Sequence, residues 1–151
     1  MNRGSVCICA VISLVLFAGS AVASDQADVM APVHQFIDGF NNGDAKSALA
    51  ACAEQTTIID EFAPYTWQSC SAWANDYEAD AKKNKVTDGK VTLGEPMHVD
   101  VTGDRAYVVV PARYTFKQNG TMMNETDSIL TVALHKTADG WRITSWTWAK
   151  H

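Results

Sequence analysis

The segment from Phe36 to Asp60 constrains the fold of this chain more than any other part of the sequence. Its residues predict a helix, a tight turn at Asn41-Asn42-Gly43, a short helix capped by Asp44, and then a buried strand. The strand ends in Asp60, and burying a charged group is costly unless the group is paired. We therefore expect Asp60 either to have a partner or to face a cavity.

The first residues have the pattern of a targeting segment. Arg3 precedes an almost wholly apolar run over residues 6–18, and small residues follow at Ala21-Val22-Ala23. The run is shorter than the roughly 20 residues that a membrane-spanning helix needs. We predict a signal peptide over residues 1–23 and an exported domain, periplasmic or secreted, over residues 24–151. A domain of that size can enclose a real core.

Charge and motif content argue against several classes of function. The chain has 12 basic and 17 acidic residues, which disfavours a nucleic-acid footprint. It has no long basic amphipathic helix for a membrane surface. It also lacks metal-ligand spacing and nucleotide-binding fingerprints. We therefore predict no metal, no cofactor, no nucleic-acid partner and no membrane association after signal cleavage.

Two cysteines, Cys52 and Cys70, lie outside the predicted signal peptide. Two cysteines in an exported protein often form a disulfide. The alternative is two buried thiols that behave as small hydrophobic side chains. Both alternatives stay open, because the sequence does not show whether the Cα atoms are close enough for a bridge.

Helical periodicity in the first half predicts three helices. The first covers residues 25–41, with Pro32 in its first turns, where proline is tolerated. The second runs from Asp44 to Ala51, and the third begins at Ser69 or Ser71 and ends at Lys83. The apolar face of the first helix consists of Val29, Met30, Val33, Phe36, Ile37 and Phe40.

The second half alternates in a way typical of strands. Turn signals at residues 102–104, 119–120 and 138–140 separate the runs, which favours an antiparallel meander. Pro111 is expected to mark a bulge or an edge, and Gly94-Glu95-Pro96 to break or bend its strand. The predicted strands are residues 56–62, 90–101, 105–118, 124–136 and 141–150. Helices followed by a sheet indicate an α+β fold, with a curved sheet wrapped over the helices.

The order of these elements resembles the nuclear transport factor 2-like superfamily, in its SnoaL-like and ketosteroid isomerase-like branch. The motifs that carry the resemblance are Phe36-x-x-x-Phe40-Asn-x-Gly43-Asp44, Leu49 in the short helix, Thr57-Ile-Ile-Asp60 and Asp139-Gly-Trp-Arg-Ile143. The resemblance implies a cone-shaped, cystatin-like fold, in which a curved antiparallel sheet surrounds the N-terminal helices and leaves a pocket at its open end. Members are often dimers. They include isomerases, cyclases, dehydratases, binding proteins and association domains, so the fold does not fix the function.

The resemblance assigns three positions of the isomerase site. The general base corresponds to Asp60, which lies sixteen residues after Asp44. The two oxyanion donors correspond to Phe36 and Val132, and neither side chain has a donor. Because loss of one such donor costs ~10²–10³ in rate, we do not expect steroid isomerase activity.

Asp60 has two interpretations. In an apolar cavity, desolvation would raise its pKa and make it a candidate general base. Alternatively, it is a structural carboxylate that accepts backbone N–H groups or pairs with Arg113 or Arg142. In a regular strand Glu61 points to the opposite side, so at most one of the two acids is expected to face the pocket.

Aromatic residues near Asp60 are either pocket walls for a flat ligand or ordinary core. Arg113 and Tyr114 are neighbours on one strand, so only one of them faces the interior. His98 is expected to point outward, with a pocket role as the alternative. The candidate ligand-binding residues are Phe36, Tyr65, Trp67, Trp73, Tyr77, His98, Arg113 and Tyr114.

Trp146 and Trp148 share one face of the last strand, which must be covered by the helices or by a second subunit. We expect a homodimer across the outer face of the sheet. The leading functional hypothesis is an exported domain that binds a small apolar or aromatic molecule, with Asp60 acting in proton transfer of the isomerase, lyase or cyclase type. The alternative is a non-enzymatic homo-oligomeric association module whose cavity is filled by its own side chains.

Overall fold

The computed structural model describes the backbone of residues 19–150 and the side chains of residues 25–150. Most of the predicted signal peptide lies outside these residues, and its cleavage and the export of the chain stay predictions. Within the described part, no helix combines the length and hydropathy that a membrane crossing requires.

Three helices form among the described residues of the first half, as predicted, but the first begins earlier than expected. The helices are α1 (Gly19–Asn42), α2 (Ala45–Ala50) and α3 (Cys70–Lys83). Asp44 caps α2 by accepting a hydrogen bond from the Ser47 N–H at 3.0 Å, and Ser69 is the residue that caps α3. The expected position of Pro32 in the first turns is wrong, since α1 begins at Gly19 and Pro32 lies inside it. Burial of the apolar face of α1 offsets the loss of the backbone hydrogen bond that a proline inside a helix removes.

The strands in the described part of the chain are β1 (Cys52–Ile59), β2 (Thr66–Trp67), β3 (Val86–Leu93), β4 (His98–Thr102), β5 (Arg105–Gln118), β6 (Thr121–Thr137) and β7 (Gly140–Ala149). These seven strands form one sheet in the order β2-β1-β7-β6-β5-β3, with β4 also paired to β5. The predicted meander is confirmed for β5, β6 and β7, which pair antiparallel in chain order.

Two expectations about the strands are corrected. The sheet is not wholly antiparallel, because β1 pairs with β7 in parallel. This pairing begins where the Ile143 N–H donates to the Ala51 carbonyl at 3.0 Å. The strand predicted over residues 56–62 is displaced toward the N-terminus as β1, which ends at Ile59. It ends there because the chain turns back, and the Asp60 N–H donates to the Tyr65 carbonyl at 3.1 Å.

Pro111 lies at an irregularity of the sheet, as its missing N–H predicts. On one side of β5, the pairing passes from β3 to β4 at this point, where the Gly94 N–H donates to the Pro111 carbonyl at 2.8 Å. On the other side, the register with β6 shifts between Ala112 and Tyr114. The predicted strand over residues 90–101 is therefore divided into β3 and β4, as its Gly-Glu-Pro segment suggested.

The core lies between the helices and one face of the curved sheet. Trp146 is 4% exposed, and its ring centroid lies 5.7 Å from that of Phe36 on α1 and 5.0 Å from that of Trp73 on α3. The helices of the same chain therefore cover Trp146, and Trp148 is half-buried on the same face of β7. A homodimer stays a prediction, and these tryptophans no longer argue for it.

Candidate functional site

A cavity of about 200 Å³ opens between α1, α3, the residues after β1 and the sheet. Its wall is largely aromatic, but four carboxylic acids also reach it. The lining consists of Phe36, Ile37, Phe40, Asp60, Glu61, Phe62, Trp73, Tyr77, Asp80, Ala81, Asn84, Val86, Val91, Tyr114, Phe116, Gln118, Glu125, Leu130, Trp146 and Trp148. For comparison, an engineered apolar cavity of about 150 Å³ binds benzene.

Asp60 lies in this wall, held by two hydrogen bonds. Its Oδ2 accepts from Trp73 Nε1 at 2.7 Å, and its Oδ1 accepts from the Glu61 N–H at 2.7 Å. Its side-chain partner is thus an indole rather than Arg113 or Arg142. Burial raises the pKa of Asp60 above its ordinary value of 3.8, while the two hydrogen bonds oppose this rise. The result is a partly desolvated carboxylate that faces a cavity.

Glu61 also lines the cavity, contrary to the expectation that only one of the two acids would do so. The alternation of a regular strand does not apply here, because β1 ends at Ile59. Lys150 Nζ lies 3.4 Å from Glu61 Oε2 and 2.8 Å from Glu125 Oε1. Burial and the charge of Glu125 raise the pKa of Glu61, whereas Lys150 lowers it.

Two tyrosines form a polar pair in the aromatic wall. The hydroxyls of Tyr77 on α3 and Tyr114 on β5 are hydrogen-bonded to each other. Tyr114 is therefore the inward member of the pair of strand neighbours, and Arg113 is exposed. Burial raises the pKa of both hydroxyls, so both stay protonated at neutral pH. Gly89 makes room for the pair, because a Cβ there would lie 2.7 Å from the Tyr114 hydroxyl oxygen.

Of the predicted site residues, Asp60, Phe36, Trp73, Tyr77 and Tyr114 come together at the cavity. The other four do not line it. Tyr65 is 58% exposed, and His98 and Arg113 are also exposed. Trp67 is buried outside the lining, where it packs on Phe62 and donates a hydrogen bond from Nε1 to Asp76 Oδ2 at 2.8 Å.

Glu125 lines the cavity but is not among the site residues predicted from the sequence. Of the lining residues that were not predicted, it matters most for the chemistry. It pairs across the sheet with Tyr114. Counting back from the Asn119-Gly120 turn places these two residues opposite each other. The sequence therefore indicated that Glu125 lies beside Tyr114. Phe40, Phe62, Phe116, Trp146 and Trp148 complete the aromatic wall.

Cys52 and Cys70 form a disulfide, which was one of the two alternatives left open. Their Cα atoms are 6.5 Å apart. The bridge joins the start of β1 to the start of α3, so it closes the segment that carries Asp60. Among the described residues, no group of three or more His, Cys, Asp or Glu side chains is arranged to hold a metal ion.

The family of the chain follows from a match to the SnoaL-like domain model over residues 29–148. The chain belongs to this family. No curated protein matches the chain in a sequence comparison.

Solved structures share the fold. A ketosteroid isomerase-like protein from Erwinia carotovora atroseptica SCRI1043 is 18% identical with a TM-score of 0.67, over 83% of this chain and 95% of that one. A nuclear transport factor 2-like superfamily protein from Salmonella enterica serovar Typhimurium is 14% identical with a TM-score of 0.73, over 85% and 92%. A protein with a cystatin-like fold from Novosphingobium aromaticivorans is 18% identical with a TM-score of 0.68, over 86% and 84%. The predicted superfamily and α+β fold are therefore confirmed.

Proposed function

We propose that this chain is an exported domain that binds a small apolar or aromatic molecule in the cavity and moves a proton with Asp60. The observation that carries the proposal is a partly desolvated carboxylate in the wall of an aromatic cavity. A fold of this family hosts many functions, so the function is inferred from the site rather than from the fold.

Asp60 is suited to act as a general base. Desolvation raises the pKa of its carboxyl group and so strengthens the carboxylate as a proton acceptor. The Trp73 indole fixes its orientation through one oxygen. A carboxylate has about four lone-pair sites, so acceptor sites remain on both oxygens besides the bonds to Trp73 and Glu61.

The tyrosine pair supplies a donor for the charge that proton removal creates. When Asp60 takes a proton from a carbon next to a carbonyl group, the electron pair moves to the carbonyl oxygen and forms an enolate. A neutral hydroxyl of Tyr77 or Tyr114 would donate a hydrogen bond to that oxygen. Phe36 and Val132, at the positions that the family resemblance assigned to oxyanion donors, have no donor, so this pair would act from different elements of the fold.

Export is supported by two features that do not depend on each other. One is the signal-like pattern of residues 1–23, and the other is the disulfide between Cys52 and Cys70. Disulfides persist in oxidising compartments such as the periplasm and the extracellular space.

The alternative of an association module with a self-filled cavity is less well supported. Such a module has little open space beside Asp60, whereas this cavity measures about 200 Å³. Dimer formation is compatible with both functions. A monomeric mass in sedimentation at micromolar concentration would contradict the homodimer prediction.

The proton-transfer proposal is tested by hydrogen–deuterium exchange at the α-carbon of a small aromatic ketone, 2-indanone, in D₂O. The purified protein should accelerate the exchange over buffer, as followed by ¹H NMR. Asp60→Asn should reduce the acceleration by about 10²–10⁴-fold, the usual contribution of a general base. Asp38→Asn, which changes an exposed acid on α1, is the matched control and should have no effect. Equal rates for the native protein and Asp60→Asn would remove Asp60 from the mechanism.

A further inference from the structure

We propose that the molecule bound in this cavity carries a positively charged amine, so that the preferred ligand is an aromatic ammonium compound rather than a neutral hydrocarbon. This inference rests on the proposed binding function and specifies its ligand class. It is carried by the charge of the lining, by two buried polar groups that have no hydrogen-bond partner among the described residues, and by the aromatic wall.

The charge of the lining is one-sided. Its acidic members are Asp60, Glu61, Asp80 and Glu125, and it contains no Lys, Arg or His among the described residues. The cation found beside the site is Lys150, which pairs with Glu61 and Glu125. One ammonium group thus faces several carboxylates. A ligand cation would reduce the remaining repulsion, whereas an anionic ligand would increase it.

One oxygen of Glu125 has no hydrogen-bond partner within residues 25–150. Its side chain is 10% exposed, and Oε1 accepts a hydrogen bond from Lys150 at 2.8 Å. Oε2 is buried and meets no donor in the described part of the chain. Buried polar atoms are nearly always hydrogen-bonded, so this oxygen calls for a donor that the cavity can admit. A ligand ammonium N–H provides a charge-assisted hydrogen bond there.

Trp146 is a second, independent pointer to a ligand. It lines the cavity at 4% exposure, and its Nε1–H meets no acceptor among the described residues. The buried site therefore has an unused donor as well as an unused acceptor. An acceptor on the ligand would be complementary to this donor, as its ammonium group would be to Glu125 Oε2.

The aromatic wall is also suited to a cation. Trp73 stacks on Tyr77 with ring centroids 5.3 Å apart and meets Trp146 edge to face at 5.0 Å. The faces of tryptophan and tyrosine attract ammonium groups, most strongly where water is excluded. Carboxylates and aromatic faces in one small cavity therefore favour a cation over a neutral molecule of the same shape.

The test compares two probes of nearly equal size, 2-phenylethylammonium and 2-phenylethanol, at pH 7. Both have a phenyl ring and a hydrogen-bond donor, but only the first is charged. Binding to the purified protein is followed through the indole N–H signals in ¹⁵N–¹H correlation spectra. We expect the ammonium to bind at least about tenfold more tightly than the alcohol.

Two variants test whether the preference for the ammonium arises at Glu125. Glu125→Gln keeps the shape of the side chain and should remove most of the preference for the ammonium, while binding of the alcohol changes little. Glu78→Gln is the matched control, because it makes the same change of net charge at an exposed position of α3 outside the lining. The same spectra check that each variant is folded.

The outcomes separate the two proposals. Equal or tighter binding of 2-phenylethanol would overturn the cation inference and leave the binding function standing. If neither probe binds at a concentration of about 10 mM, both the cation inference and the binding function are overturned. A preference that Glu78→Gln reduces as much as Glu125→Gln would mean that general charge, rather than this site, attracts the ammonium, and would also overturn the inference.

Discussion

The disulfide between Cys52 and Cys70 is expected to contribute a large share of the stability of the domain. The two cysteines are 18 residues apart in sequence. Closing a loop of that length restricts the unfolded chain by about 3 kcal/mol at 25 °C in the chain-entropy model. Single domains are stable by only about 5–15 kcal/mol. Loss of the bridge should therefore be evident in any unfolding measurement.

The perturbation is the double variant Cys52→Ala and Cys70→Ala. Alanine avoids placing a hydroxyl at position 70, which is 2% exposed. Urea unfolding followed by tryptophan fluorescence should show a midpoint lower by about 1–3 M, since the slope for small domains is about 1–3 kcal/mol per M. Hydrogen exchange at the Asp60 amide, which donates to the Tyr65 carbonyl inside the closed segment, should also become faster.

A reductant provides the control. It should destabilise the native protein toward the level of the double variant and leave the double variant unchanged. A double variant that is within about 0.5 kcal/mol of the native protein in unfolding free energy would refute the reasoning. It would mean that the bridge adds strain to the folded state equal to the restriction of the unfolded state.

Two further predictions concern the contact between the helices and the charge of Asp60. Gly39→Ala should destabilise the protein by about 1–3 kcal/mol in urea unfolding, because its Cβ would lie 2.5 Å from the backbone nitrogen of Ala48; equal stability would contradict this close approach of α1 and α2. Because the pKa of Asp60 is raised in the folded state, its stabilising contribution is fully present below its unfolded pKa and is lost as the pH rises through its folded pKa. The free energy of unfolding of the native protein, relative to that of Asp60→Asn, should therefore rise as the pH falls toward 3.8. A difference between the two proteins that does not change with pH would contradict the raised pKa.

Local patterns in the sequence were sufficient for much of the fold. The span of β5 was predicted as residues 105–118, because alternation and two turn signals fix both of its ends. The pairing of β1 with β7 was not predictable in this way. It joins residues about ninety positions apart, and no turn connects them.

The position of Asp60 at the cavity was predicted, because it depends on the end of one strand, whereas that of Glu61 was missed, because it depends on a turn. Asp60 faces a cavity, as one of its two interpretations required, and it also accepts the Glu61 backbone N–H, as the other allowed. The chain turns back immediately after it, and Tyr65 adopts a positive φ of 71°. This turn brings Glu61 to the cavity and leaves Tyr65 exposed, which strand alternation does not foresee. The local pattern of Arg113 did not decide which face it would take, whereas His98 is exposed, as expected.

The most direct test of the central claim is the pKa of the Asp60 carboxyl group, measured by carboxyl-carbon NMR titration of the purified protein. Comparison with Asp60→Asn assigns the signal. We predict a value above the ordinary 3.8, since burial in the cavity outweighs the hydrogen bonds from Trp73 and the Glu61 amide. A value at or below 3.8 would contradict the account, because it would mean that Asp60 is solvated or stabilised as a structural anion.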